Sequence, residues 1–188
     1  MVRDGMTHLI QMVRELAHAG TADHTLGGVT YWTDEQIQAE LDRTAVFYKD
    51  EALELKRERI GGQWVYLDYA YPFEYVERAA TEGAFVVRDR DGATVTDFTV
   101  NYDARIVRFT ADTGGKRFYL SAREYSPHLA AAAIWERKAA FYEAKVDFRT
   151  DNHQIAASQQ VAHCHRMAAQ MRRKAGIQSV MLFRADER

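Results

Sequence analysis

The chain has 188 residues, of which 47% are hydrophobic and 28% charged, and a formal net charge of −2. A chain of this size buries roughly 70% of its unfolded surface without a metal or disulfide, and its composition is that of a globular protein. The near-neutral charge gives no overall attraction to phosphate, which argues against binding of nucleic acid or anionic membranes as the main activity.

A single cysteine, Cys164, excludes an intramolecular disulfide and fits a protein that folds in a reducing cytosol. The first residues, Met1 to Met12, lack the basic and apolar regions of a signal peptide. No apolar run reaches the length of about 18 residues that a membrane span requires. We therefore expect a soluble, cytoplasmic protein with no membrane partner.

The first predicted helix starts at Asp4, a favourable capping residue, and ends near Gly20. Leu9, Val13 and Leu16 recur along it at helical spacing.

A second helix is predicted from Thr33 to about Arg59, where Gly61 and Gly62 would stop it. Thr33 and Gln36 have the spacing of a capping box, in which each side chain accepts a hydrogen bond from the other residue's backbone N–H. Apolar residues mark one face of this helix: Ile37, Leu41, Ala45, Tyr48, Ala52 and Leu55.

Short runs rich in Val, Tyr, Phe and Thr replace the helical pattern from Gln63 to about Ala122 and predict an antiparallel meander. The sharpest turn signal is Asp91-Gly92, between Ala84–Arg88 and Thr94–Val100. Further turns are predicted at Asn101–Asp103 and Gly114–Gly115, and the first strand at Trp64–Tyr71. The aromatic residues near that strand alternate between the two faces of a sheet, so they cannot all enter one core.

Two more helices are predicted after the strands. Ser126 can cap the first, Pro127 suits its first position, and it continues to about Val146. After a linker, Asp147–Ala157, the second helix opens at Ser158 and ends at Gly176. The sequence therefore predicts an α+β fold: a bundle of about four helices from 1–60 and 123–176, an inserted β module at 61–122, and an extended tail at 177–188.

A possible metal site consists of Asp151, His153, His163, Cys164 and His165. On a helix, however, His163 and His165 point about 200° apart, so they cannot chelate one ion as an i, i+4 pair would. Surface histidines beside a buried thiol are the simpler interpretation. We expect no cofactor and no catalytic residues.

The end of the chain is the favoured site for binding a partner. Arg172, Arg173 and Lys174 either complement the negative end of the helix dipole or contact DNA or an acidic partner. The apolar, β-prone residues that follow could add a strand either to the protein's own sheet or to the edge of a partner's sheet. The candidate binding residues are Arg172, Arg173, Lys174, Ile177, Val180, Met181, Leu182 and Phe183.

Three helical segments carry a resemblance to a known family: 31–42, which reads YWTDEQIQAELD; 130–139, which reads AAAAIWERKA; and 146–151, which reads VDFRTD. In this order they resemble the opening and closing helices of small head–tail connector proteins of tailed bacteriophages, also called adaptor or head-completion proteins. The strand-rich insertion departs from the smallest, all-helical members of that family.

The resemblance implies a non-enzymatic virion protein at the head–tail junction, present in the host cytoplasm during assembly. It implies a ring of about twelve subunits that docks beneath the portal protein and presents a surface to the tail or the next connector protein. DNA would pass through the channel without sequence-specific contacts. Two alternatives stay open: a small metal-dependent enzyme that uses His153, His163 and His165, or a DNA-binding regulatory protein.

Overall fold

The computed structural model describes residues 1–78, 83–145, 148–150, 153–155 and 157–176, and within them the chain has a mixed α+β fold, as predicted. The α-helices of these ranges are α1 (Thr7–Ala17), α2 (Asp34–Asp42), α3 (Pro127–Glu143) and α4 (Ala157–Lys174). The strands are β1 (His24–Leu26), β2 (Val29–Tyr31), β3 (Val46–Ala52), β4 (Glu54–Ile60), β5 (Gln63–Ala70), β6 (Phe85–Asp89), β7 (Thr94–Val95), β8 (Phe98–Asn101), β9 (Ile106–Phe109), β10 (Phe118–Glu124), β11 (Phe148–Thr150) and β12 (His153–Ile155).

Helix α3 is the centre of the helical part and packs against α1, α2 and α4. Its run of small residues, Ala130–Ala132, is buried and lets neighbouring helices approach closely. Trp32, between the β1–β2 hairpin and α2, is completely buried in the same core. The other helices contribute their apolar stripes to it: Leu9, Val13, Ile37, Leu41, Cys164 and Ala168.

Strands β3 to β10 form two four-stranded antiparallel sheets, with strand orders β3-β10-β6-β7 and β4-β5-β9-β8. Only Leu53 separates β3 from β4, so the segment 46–60 passes directly from the edge of one sheet to the edge of the other. One apolar cluster takes side chains from both sheets: Leu53, Tyr69, Phe85, Val87, Val107, Phe109, Phe118 and Leu120. The two sheets therefore enclose a common core.

The predicted turns of the strand region are confirmed. The Asp89 carboxylate accepts hydrogen bonds from the backbone N–H groups of Asp91 (3.0 Å) and Ala93 (2.9 Å) and so fixes the β6–β7 turn. Gly92 has φ of 82°, a conformation that favours glycine. In the β8–β9 turn, the Asn101 side chain accepts a hydrogen bond from the N–H of Ala104 (2.9 Å).

The predicted length of the second helix is wrong. Its capping box between Thr33 and Gln36 is present, but α2 ends at Asp42. The strands that follow α2 begin at Val46 rather than at Gln63. In residues 46–60, β3 forms its backbone hydrogen bonds with β10, and β4 forms its backbone hydrogen bonds with β5. The charged, helix-favouring residues of β4 lie on an edge strand, where charges are common, so long-range pairing overrides local propensity.

Other helix boundaries differ by a few residues. Asp4 makes no side-chain cap; it opens a short 3₁₀ turn, Asp4–Met6, that leads into α1. Helix α1 ends at Ala17, and His18 follows it with φ of 48°. Helix α4 begins one residue before the predicted Ser158, and the predicted linker holds the short β11–β12 pair.

A buried carboxylate, Glu77, joins the helical part to the sheets. Its side chain is fully buried and accepts hydrogen bonds from Arg3 Nε (2.8 Å) and the Tyr125 hydroxyl (2.7 Å). Arg3 also donates to Asp42 at the end of α2 (3.1 Å), and its backbone N–H donates to the Gln38 side chain (2.8 Å). Burial, together with the bond to Glu77, raises the pKa of Tyr125 to about 12.

The raised pKa of Tyr125 predicts a loss of stability at alkaline pH. Its contribution is complete below pH 10, the ordinary tyrosine pKa, and is lost as pH rises through about 12, because the unfolded chain releases this proton first. Urea denaturation at increasing pH should show a shallower decline for Tyr125→Phe than for the unchanged chain. Parallel declines would contradict the assignment.

Close packing at Gly5 supplies a second prediction. A Cβ added to Gly5 would collide with the carbonyl oxygen of Arg78 and lie 3.1 Å from the Glu77 side chain. We expect Gly5→Ala to lower the free energy of unfolding by about 1–3 kcal/mol in urea denaturation. Gly20→Ala is the matched control, because no atom lies within 4 Å of its added Cβ. Equal losses for both variants would refute the predicted clash.

Candidate functional site

The most prominent surface feature is the far end of the β4–β5 hairpin. Strand β5 pairs with β9 only through residues 68–70. Beyond that point, 58–60 and 63–65 pair with each other, and no third strand joins them within the described residues. We call residues 57–65 the arm. An isolated two-stranded hairpin is only marginally stable in water, so the arm is well suited to pack against another surface.

The base of the arm is firmly held. Tyr66 N–H donates to the Asp112 carboxylate (3.0 Å), and its carbonyl accepts from the backbone N–H (3.1 Å) and hydroxyl (2.8 Å) of Thr113. The buried Tyr69 hydroxyl lies 2.6 Å from that of Thr113 and donates to the carbonyl of Lys116 (2.8 Å). The loop before β10 therefore fixes the direction in which the arm leaves the sheet.

Trp64 is the main side chain of the arm, and 52% of its surface is exposed. It lies opposite Arg59 in the strand register, and the guanidinium carbons of Arg57 and Arg59 lie 5.0 and 6.0 Å from its ring centroid. Cation–π attraction of this kind is worth about 0.5–1 kcal/mol at an exposed site. The two arginines therefore hold the ring in place while leaving much of it accessible.

The tip of the arm adds a second apolar group. Ile60, 49% exposed, precedes the turn at Gly61 and Gly62, whose φ values of 58° and 88° suit a tight hairpin turn. An exposed tryptophan beside arginines and an aliphatic group is the composition of an interface anchor, since Trp and Arg dominate binding energy at interfaces. The arm can thus bind an apolar pocket with an acidic rim.

The predicted basic cluster lies at the exposed end of α4. Arg172 forms an ion pair with Glu136 of α3 (2.5 Å), and this pair links α4 to α3. Arg173 and Lys174 are exposed. The other predicted binding residues, Ile177, Val180, Met181, Leu182 and Phe183, lie outside the described residues.

The structure does not bring the predicted histidines together. The His163 ring packs edge-on against Trp135, with centroids 5.7 Å apart, whereas His165 Nε2 lies 3.4 Å from the Glu143 carboxylate. Cys164 between them is buried, and burial raises the pKa of its thiol. His153 is in β12, and Asp151 lies outside the described residues. Within the described ranges, no three His, Cys, Asp or Glu side chains are grouped to hold a metal.

Sequence reasoning missed the arm because it placed residues up to Arg59 in a helix and treated the two glycines as its end. The signal was present in the residues around them: RERI, then Gly-Gly, then QWVY. Two glycines between runs that end and begin with β-prone residues indicate a two-residue hairpin turn. The exposure of Trp64 also agrees with the expectation that the local aromatics could not all enter one core.

Among the described residues, none of the helices has the length and hydrophobicity that are needed to span a membrane.

Searches against protein-family models, curated proteins and solved structures found no match for this chain.

Proposed function

We propose that this chain is a structural subunit of a head–tail connector ring, which docks beneath a portal protein and links a DNA-filled capsid to a tail. The observation that carries the proposal is the arm, which presents Trp64 and Ile60 to solvent on a hairpin that extends beyond its sheet. The family resemblance of segments 31–42, 130–139 and 146–151 supports the same class.

The arm would supply one half of the contact between neighbouring subunits. A ring requires a head-to-tail interface, in which a surface of one subunit binds a different surface of the next. A projecting hairpin with an anchored tryptophan suits the donor half, and its arginines favour an acidic acceptor. Helices α1 to α4 would then form the bundled adaptor core, with the two four-stranded sheets beside it.

Two further parts follow from the sequence. The basic end of α4, Arg172 to Lys174, and the tail at 177–188 are the proposed portal-docking element. The net charge of −2 suits the wall of a channel through which DNA moves without being bound. In this proposal the protein belongs to the virion, and its residues take no part in catalysis.

The assembly itself is the direct test. We expect the chain, coproduced with the portal protein of the same genome, to form a ring stacked on the portal that electron microscopy can image. A portal ring that never acquires this chain, with both proteins folded and in excess, would contradict the connector proposal.

The arm is tested by exchanging its exposed anchors. Ile60→Ser with Trp64→Ser should change the free energy of unfolding by less than about 1 kcal/mol, because both side chains are about half exposed, yet abolish ring formation. Phe47→Ser is the matched control: Phe47 is 56% exposed on β3, outside the arm, so rings should persist. Rings formed by the double variant would remove the arm from the interface.

The same variants address the alternative of a DNA-binding protein. Arginines stacked on an exposed tryptophan also occur where proteins bind nucleic acid. Salt-sensitive binding of duplex DNA by the unchanged chain, lost in Trp64→Ser, would favour that alternative over the connector.

A further inference from the structure

A cleft of about 400 Å³ lies where the helical part meets the β module. Helix α1 supplies His8 and Met12 to its walls, the segment before β6 supplies Tyr75 and Val76, and the β8–β9 turn supplies Tyr102. Met12, Tyr75 and Val76 therefore give the cleft an apolar surface. The cleft lies between the helical part and the β module, which the Glu77 interactions hold in place.

One end of the cleft is rich in hydrogen-bond donors. Arg78 and Arg105 line it, together with the single carboxylate of Asp103. Tyr71, which is 4% exposed, lies close enough for Arg78 and Arg105 to affect its titration, and burial raises its pKa. Among the described residues, the Tyr71 hydroxyl has no hydrogen-bond partner. Because Arg78 and Arg105 line this end, it favours an acceptor such as a carboxylate.

The other end of the cleft lies beside the end of α4. Burial lowers the pKa of His128, and the nearby charge of Lys174 lowers it further. The ring of His128 lies 6.3 Å from that of Tyr75, which lines the cleft. Glu74 is at this end as well and faces His128. The chain therefore leaves α4 next to the cleft, at the end opposite Arg78 and Arg105.

The segment that follows Gly176 matches the cleft in order and chemistry. Its first part, 177–183, is largely apolar, and Asp186 and Glu187 follow between Arg184 and Arg188. Twelve residues in extended conformation reach roughly 40 Å. We propose that the cleft is the docking site of segment 177–188 of the same chain, with the apolar part against Met12, Tyr75 and Val76, and the acidic part at Arg78 and Arg105.

Docking within one chain is favoured over exchange between copies because the tether keeps the segment at a millimolar effective concentration. The inference concerns the isolated chain and does not depend on the connector assignment. If both are correct, a portal would have to displace the segment from the cleft before binding it.

Limited trypsin digestion of the full chain tests the docking. Arg184 is the basic residue inside the segment, and cleavage after it releases the residues beyond. Cleavage in rapid exchange follows the undocked population, so we expect it to be at least about tenfold slower in the chain than in a synthetic peptide of 177–188. The rate should be independent of protein concentration if the segment docks on its own chain.

Two variants report on the cleft itself. Arg105→Asn removes the guanidinium while keeping a residue that tolerates the φ of 57° found there, and it should accelerate cleavage at Arg184 several-fold. Phe183→Ser should do the same from the side of the segment. Arg90→Asn, an equal charge change in the exposed β6–β7 turn, should leave the rate unchanged.

Circular dichroism of each variant shows whether it is folded, and Phe183→Ser tests the docking independently of the cleft's own stability. Cleavage of the full chain as fast as of the peptide would overturn the inference. Acceleration by Arg90→Asn equal to that by Arg105→Asn would overturn it too. Protection that increases with protein concentration would place the segment on a second copy instead.

Discussion

Burial of the Glu77 carboxylate constrains the whole arrangement. An ionised group removed from water costs several kcal/mol unless charges and hydrogen bonds compensate it. Here the compensation comes from Arg3, near the first residue, and Tyr125, at the end of β10. Because Arg3 also binds Asp42, these contacts bring four distant parts of the chain together. This cluster holds the helical part and the sheets together. It therefore also fixes the positions of the walls of the cleft, which come from both parts.

Local signals predicted the elements whose cause is local. The capping box at Thr33, the Ser126-Pro127 helix start and the Asp91-Gly92 turn each satisfy nearby backbone groups, so a few residues determine them. The helix predicted for 46–60 was wrong because the first half of this segment, β3, pairs with β10, which is far away in the sequence. The second half, β4, pairs with β5, the next strand. Its alternating charges suit a helix face and an edge strand equally well.

The candidate site shows the same division. The basic end of α4 could be read from the sequence because consecutive residues carry it, whereas the arm exists only because β9 stops pairing at Asp68. The cleft depends even more on the tertiary fold, since α1, the segment before β6 and the β8–β9 turn meet there. The divergence of His163 and His165 was predictable, because helical geometry alone sets it.

The continuity of β3 and β4 through Leu53 has a mechanical consequence. Residues 46–60 form an extended ribbon with a contour of roughly 50 Å, which starts just after α2 and finishes at the tip of the arm. Hydrogen bonds between antiparallel strands lie perpendicular to the strand axis. A pull on the tip along the strands would thus load in shear the hydrogen bonds that join β3 to β10 and β5 to β9, and would carry the strain towards the helical part. In the proposed ring, a subunit built this way would resist tension between neighbours without a larger interface.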